Sequence, residues 1–303
     1  MVDLIGDVHG HAGELEALLL QMGYHKKAGV YEHPTRKAIF VGDYIDRGPK
    51  IRETLTLIRA MVEKETAIAL IGNHEYNALC FHFQESEGGH LRKHLIKNIV
   101  QHYQTLKQFQ NRQQEYEDYL DWFKSLPLFY ETEAFRVVHA CWDESNIDFL
   151  RNNLENDRLT DELIHQSVQR DTRLNKAIEQ TLKGKELDLP EGHNFEDKDG
   201  TKRTAIRIKW WEEPAEMTYQ SISVEPIPHL PELPIKDSGS PPTVFYPETG
   251  KRVFFGHYWL NGDPVPYRKN VCCLDYSVAK GGKLVAYRFD GEEELDKKKL
   301  VWV

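Results

Sequence analysis

Through the first third of the chain, short apolar runs alternate with stretches whose apolar residues recur at helical spacing. "VDLIG" near the start is such a run, and Leu15, Leu18, Leu19 and Met22 then fall at i, i+3, i+4 and i+7, one stripe of a helix. "KAIFVG" reads as a second strand. Pro49 precedes another stripe, Ile51, Leu55, Ile58 and Val62, where a first-turn proline is tolerated. "TAIALIG" supplies a third strand. Strand and helix alternating in this way predict βαβ units around a largely parallel, buried sheet.

From about residue 85 to 124 the chain is charged, glutamine-rich and helical in pattern, after which "FRVVHA" returns as a strand. Polar helices are expected from about 145 to 185. From 186 to 250 the composition turns loop-like, with "EPIPHLPELPIKDSGSPP" too rich in proline for regular structure. Residues 145–250 therefore read as a cap or insertion within one domain spanning 1–303. "KRVFFGH", "NVCCLDY" and "KLVAYRF" add three late strands with glycine-bearing turns between them.

At 303 residues with 40% hydrophobic content the chain can bury a sizeable core. Its net charge of -9 offers no basic footprint for a nucleic-acid backbone, which argues against duplex DNA or RNA as a partner. Cys80, Cys141, Cys272 and Cys273 show no CxxC spacing and read as buried reduced thiols, which suits the cytosol. No apolar span long enough to cross a membrane is found, and "MVDLIGDVHG" carries no basic, apolar leader, so the expectation is a cytoplasmic protein.

What the polar residues do at the strand ends changes the picture. "LIGDVHG" releases Asp7 and His9, "FVGDYIDRG" releases Asp43, Asp46 and Arg47, "LIGNHE" releases Asn73, His74 and Glu75, "RVVHA" ends in His139, and "VFFGH" in His257. In an α/β sheet the carboxyl ends of strands gather along one rim, where ligands bind. Imidazole nitrogens and carboxylate oxygens without thiolates suit manganese, iron or zinc in a reactive site better than a structural zinc cage. Two such ions, bridged by a carboxylate, can polarise a phosphoryl group and supply a hydroxide near neutral pH.

GDVHG, GDYIDRG, GNHE, a strand-borne histidine and a late GH together resemble the signature of the calcineurin-like metallophosphoesterases, most closely the bacterial form of the serine/threonine phosphatase branch. The resemblance is tight over residues 3–75 and continues as single anchors near 139, 257 and 275. It implies an α/β fold of the metallophosphoesterase type, a β-sandwich of mixed sheets flanked by helices. Two divalent ions are implied, manganese first, with iron or zinc as alternatives. Asp7, His9 and Asp43 would hold one, and Asp43, Asn73, His139 and His257 the other. His74 matches the general acid, Asp46 the carboxylate that orients it, and Arg47 and Asn73 contacts to the phosphate.

Some positions depart from the pattern. "HACW" stands where the eukaryotic phosphatases have two glycines after the histidine, and "GHYW" replaces GHT. The segment that carries a second phosphate-binding arginine is not recognisable. In "FEDKDGTKRTAIRIKWWEEP", a turn signal at Asp199 and Gly200 precedes Arg203, Arg207 and Lys209, and alternation with Ile206, Ile208 and Trp210 makes Arg207 the candidate, Arg203 the next. Trp210 and Trp211 read as packing residues, and Asp275 as structural. The remaining histidines, His11, His82 and His102 among them, lack the strand-end context and read as surface or packing residues.

The activity implied is metal-dependent hydrolysis of phosphoprotein or of small phosphate esters. Symmetrical cleavage of dinucleoside polyphosphates is the alternative, disfavoured by Asp46, which the enzymes that cleave symmetrically typically lack. A non-catalytic binding module on the same scaffold would be expected to lose ligands first, yet all six ligand positions and the acid dyad are intact.

Overall fold

A computed structural model describes residues 1–196, 202–237 and 245–303, so the turn expected at Asp199 and Gly200 lies outside the described residues. β1 (Val2–Ile5) leads through α1 (Ala12–Gln21) and a hairpin, β2 (His25–Lys27) and β3 (Val30–Glu32), to β4 (Lys37–Phe40). α2 (Ile51–Glu63), β5 (Ala67–Ala69), α3 (Asn73–His82), α4 (Ile96–Gln108) and α5 (Gln113–Lys124) follow, then β6 (Phe129–Glu131) and β7 (Phe135–Val138). Three helices come next: α6 (Glu144–Asn153), α7 (Asp161–Ser167) and α8 (Arg173–Lys183). The short strands β8 (Glu186–Asp188), β9 (Phe195–Glu196), β10 (Lys202–Arg203) and β11 (Ala205–Arg207) precede a single turn, α9 (Tyr219–Ile222). The chain closes with β12 (Arg252–Phe255), β13 (Val271–Cys273), β14 (Asp275–Tyr276), β15 (Lys283–Phe289) and β16 (Leu300–Trp302).

Two mixed sheets stack on each other. One runs β14-β15-β1-β4-β5, with β16 also on β15, and the other β13-β12-β7-β6. Because side chains alternate along a strand, each central strand feeds two cores. Leu4, Ile39, Val41, Phe135, Val137, Phe254, Cys272, Val285 and Tyr287 point between the sheets, while Ile5, Phe40, Val138, Phe255, Cys273 and Ala286 point outward under the helices. The expected stripes on α1 and α2 pack on that outward side. The strands are accordingly buried on both faces, which is why they read as unbroken apolar runs.

One expectation is refined, and one helix was not expected. "NVCCLDY" is not one strand: β13 and β14 belong to different sheets, with Leu274 between them at the crossing. α3 has no sequence stripe because it is buried nearly all round, from Asn73 to Phe81, so no polar face marks its period. Within 145–250, α6 to α8 pack into the main core through Ile147, Leu150, Ile164, Ala177 and Ile178. The following stretch has its own small cluster of Leu187, Ile206, Ile208, Tyr219, Ile222, Leu230 and Ile235. All four cysteines are free and buried, and Trp210 and Trp211 are packed inside, as expected.

Candidate metal centre

β1, β4, β5, β7 and β12 each end in a polar loop, and their order in the two sheets brings those loops to one rim. The loops bend sharply. His9, Asp43, Asp46, Arg47 and His257 have φ of 46°, 57°, 63°, 59° and 75°, a region that costs a residue with a Cβ about 1–3 kcal/mol. Such conformations persist only where surrounding contacts over-determine them. Two glycines make the approach possible. A Cβ on Gly42 would lie 2.7 Å from the Gly72 backbone and 2.8 Å from His139 Nδ1, and one on Gly256 only 1.8 Å from Asp7 Oδ1.

Asp7, His9, Asp43, Asn73, His139 and His257, the six expected ligands, are all buried together. Asp43 lies at the middle: its Oδ2 is 3.6 Å from His9 Nε2 and its Oδ1 3.4 Å from His139 Nε2. Asn73 Oδ1 is 3.0 Å from His139 Nε2 and 2.7 Å from His257 Nδ1. Two groups of donors converge within 4.8 Å, His9, Asp43 and His74 in one, Asp43, His139 and His257 in the other, so Asp43 belongs to both. Asp7 stands beside them, its Oδ2 accepting from the His257 backbone N–H at 3.0 Å. Where His74 falls into the first group, its Nδ1 is already committed to Asp46, which leaves Nε2 facing the centre.

Three buried atoms at this point have no hydrogen-bond partner: Asp7 Oδ1, His9 Nε2 and His257 Nε2. Buried polar groups are seldom left so. Burial and the carboxylates of Asp275 and Asp43 push Asp7 well above its ordinary range. Burial would also raise Asp43, but the imidazoles of His139, His74 and His9 outweigh it and hold that carboxyl well below. Burial lowers His9 to about 4, and burial, the Arg207 charge and His139 keep His257 well below the usual imidazole range. Binding of divalent cations requires neutral imidazoles and ionised carboxylates, a state that burial favours at His9 and His257. The residues fit a pair of such ions.

These donors are held from behind. His9 Nδ1 donates to the Ile45 carbonyl and His139 Nδ1 to that of Val41, both at 2.9 Å, which turns each Nε2 inward. Glu75, whose role the sequence did not reveal, accepts from the backbone N–H groups of Gly72, Asp43, Tyr44 and Ile45 and so ties the loop after β4 to the start of α3. Asp275 accepts from Ser277 and Trp259 N–H groups, the structural role expected of it.

Beside the centre, His74 Nδ1 meets Asp46 Oδ2 at 2.5 Å. Burial works against the imidazolium, yet Asp43 and Asp46 overcome it and raise His74 above its ordinary value. Arg47 is exposed, and its guanidinium lies 5.7 Å from the ring of Trp259, which in turn stacks on His9 at 5.3 Å. The departure at "GHYW" thus builds an aromatic wall beside the site. Arg207 extends from β11 with Ile206 and Ile208 buried on either side, 3.8 Å from Glu225, and its charge is felt at His257. Arg203, on β10, is exposed.

His102 corrects the sequence reading. It is buried, its Nδ1 donating to Asp46 Oδ1 at 2.8 Å and its Nε2 lying 2.8 Å from Tyr116 Oη, and Thr105 Oγ1 donates to the same Asp46 oxygen at 2.6 Å. The signal available was the i, i+3 spacing of His102 and Thr105, one face of a helix, but nothing local ties that face to Asp46.

The sequence profile of calcineurin-like phosphoesterases matches residues 1–258. A bis(5'-nucleosyl)-tetraphosphatase (asymmetrical) of Oceanobacillus iheyensis is 34% identical over 141 residues, 46% of this chain and 54% of that protein. One of Halalkalibacterium halodurans is 48% identical over 73 residues, 24% of this chain and 30% of the relative. The chain spans about half the length, or less, of these curated relatives. A protein serine/threonine phosphatase from Saccharomyces cerevisiae shares the fold at 15% identity, with a TM-score of 0.51, covering all of this chain and 78% of that one.

Proposed function

The chain belongs to the calcineurin-like phosphoesterase family, and on that premise we propose that it is a dinuclear metal-dependent phosphatase, hydrolysing phosphate monoesters of alkyl alcohols in phosphoproteins or small molecules. The observation that carries this reading is the Asp46–His74 pair beside the converging donors. An alkoxide leaves poorly without a proton, and a general acid contributes about 10²–10⁴ in rate. Asp7, His9 and Asp43 would hold one divalent ion, and Asp43, Asn73, His139 and His257 the other. The pair, manganese first, would polarise the phosphoryl group and acidify an attacking water. Arg47 and Arg207 would take up phosphoryl oxygens, for which a planar guanidinium fork is suited. His74, oriented through Nδ1, would deliver the proton from Nε2 to the leaving oxygen.

A second reading has its own support. The curated relatives are named asymmetrical bis(5'-nucleosyl)-tetraphosphatases, which supports an asymmetrical cleavage beside the symmetrical one considered from sequence. A nucleotide leaving group is far less basic than an alkoxide and depends less on an acid. Manganese-loaded enzyme should therefore be assayed on β-glycerophosphate, phosphoserine peptides, p-nitrophenyl phosphate, bis-p-nitrophenyl phosphate and diadenosine tetraphosphate, before and after His74→Asn. On the monoesterase reading, His74→Asn lowers kcat on the alkyl phosphates by about 10²–10⁴ and on p-nitrophenyl phosphate much less. Equal losses remove His74 as the acid. Turnover confined to the dinucleotide, with unequal products, establishes the second reading.

A further inference from the structure

We propose that His102 is a positioning residue for the proton donor: together with Thr105 and Tyr116 it fixes Asp46, and through Asp46 it fixes the orientation of His74. The inference rests on the reading of His74 as general acid. The residues come from three elements and meet in a buried pocket, Asp46 from the loop after β4, His102 and Thr105 from α4, Tyr116 from α5. Asp46 Oδ2 takes His74 Nδ1–H, and Asp46 Oδ1 takes both His102 Nδ1–H and the Thr105 hydroxyl. The Asp46 backbone N–H in turn donates to Thr105 Oγ1 at 3.0 Å. Both carboxylate oxygens are thus held and the group cannot rotate. An ionised carboxylate only accepts, so His102 must present a proton on Nδ1, and its Nε2, when the ring is neutral, accepts from the Tyr116 hydroxyl. The arrangement sets the tautomer of His102 as a carboxylate partner sets that of a catalytic histidine.

The orientation of α4 is the independent observation. A helix packed for apolar burial alone would turn its hydrophobic stripe inward. α4 does the reverse along much of its length. Ile96, Val100 and Tyr103 are 81%, 67% and 52% exposed, whereas His102 and Thr105 are 5% and 0% exposed. Exposing three large apolar side chains while burying an imidazole and a hydroxyl is unfavourable by burial. The contacts to Asp46 and Tyr116 are what the inward face gains in return.

The test compares His102→Leu, His102→Asn and Tyr116→Phe with His74→Asn in manganese-loaded enzyme, using β-glycerophosphate and p-nitrophenyl phosphate. His102→Leu removes the donor, while His102→Asn keeps an N–H near the position of Nδ1. Loss of an outer partner of this kind costs about 10–100-fold. His102→Leu should lower kcat on β-glycerophosphate by that amount, leave KM and metal content in place, and lose less on the aryl ester, so that the ratio of the two rates shifts. His102→Asn should recover most of the loss, and Tyr116→Phe should shift the ratio in the same direction but less. Equal losses on both substrates, or Asn no better than Leu, would overturn the proposal. If His102→Leu fails to fold, the other two variants decide, and ¹⁵N-histidine spectra of zinc-loaded wild type add a direct reading: a proton on Nε2 instead of Nδ1 of His102 refutes it. Should His74→Asn itself not discriminate between substrates, the reading of His74 fails; should it discriminate while the His102 variants do not, only the present inference fails.

Discussion

Replacing Glu75 by glutamine changes one atom and leaves volume nearly constant, yet it should destabilise the protein strongly. Glu75 Oε2 accepts from the Gly72 and Asp43 N–H groups at 2.9 Å each, and Oε1 from Tyr44 at 2.8 Å and Ile45 at 3.3 Å. Burial and Asp43 push this carboxyl up, but donors on both oxygens leave no place for a proton and require the carboxylate. Glutamine can satisfy one pair of donors with its oxygen and must turn its NH₂ towards the other pair. Two buried N–H groups then lose their acceptor, at about 1–3 kcal/mol each, a total of about 2–6 kcal/mol. At roughly 2–4 °C per kcal/mol, Tm should fall by roughly 4–24 °C. Thermal unfolding in the presence of chelator isolates this effect from any change in metal binding. A shift in Tm under about 2 °C would mean the four contacts contribute little net stability, and the argument that Glu75 sets the loop after β4 against α3 would fail with it.

Asp43→Asn should release more metal than substitution of any ligand that belongs to one donor group, because Asp43 belongs to both; elemental analysis after gel filtration checks this, and retention of two ions would refute it. Chelation should abolish activity and manganese restore it. Arg207→Ala should raise KM for phosphate esters and weaken inhibition by inorganic phosphate without loss of metal; unchanged inhibition moves the assignment to Arg203. Glu131, which accepts from Arg136 and Lys251, is held at about 2 against an ordinary 4.5. Its stabilisation is present above the ordinary value and is lost as pH falls through the lowered one. Glu131→Gln should accordingly lower Tm at pH 7, with the difference shrinking between about pH 4.5 and pH 2.

The buried donors that converge at the rim were legible in the sequence because each sits where an apolar run stops, often at a glycine, and that local grammar survives without knowledge of the fold. A buried strand must end before its backbone can turn, and a polar residue placed there is delivered to the rim whatever the remainder of the chain does. The same grammar marked Asp46, His74 and Arg47 within a few residues of those donors. The stripes of α1 and α2 and the two-sided burial of the central strands were equally visible in residue spacing. Tertiary structure decided what depends on distant pairings. His102 lies 56 residues from Asp46 in sequence and Thr105 lies 59, and a histidine in a polar helix carries no local mark of its partner. α3 hid because burial on all sides erases amphipathic period. "NVCCLDY" divided between two sheets because the break at Leu274 is set by which strands flank it. Glu75 looked like one more polar residue of a motif, and only the folded chain aims four backbone N–H groups at its two oxygens. Local pattern fixes which residues reach the rim; packing between elements fixes which of them touch.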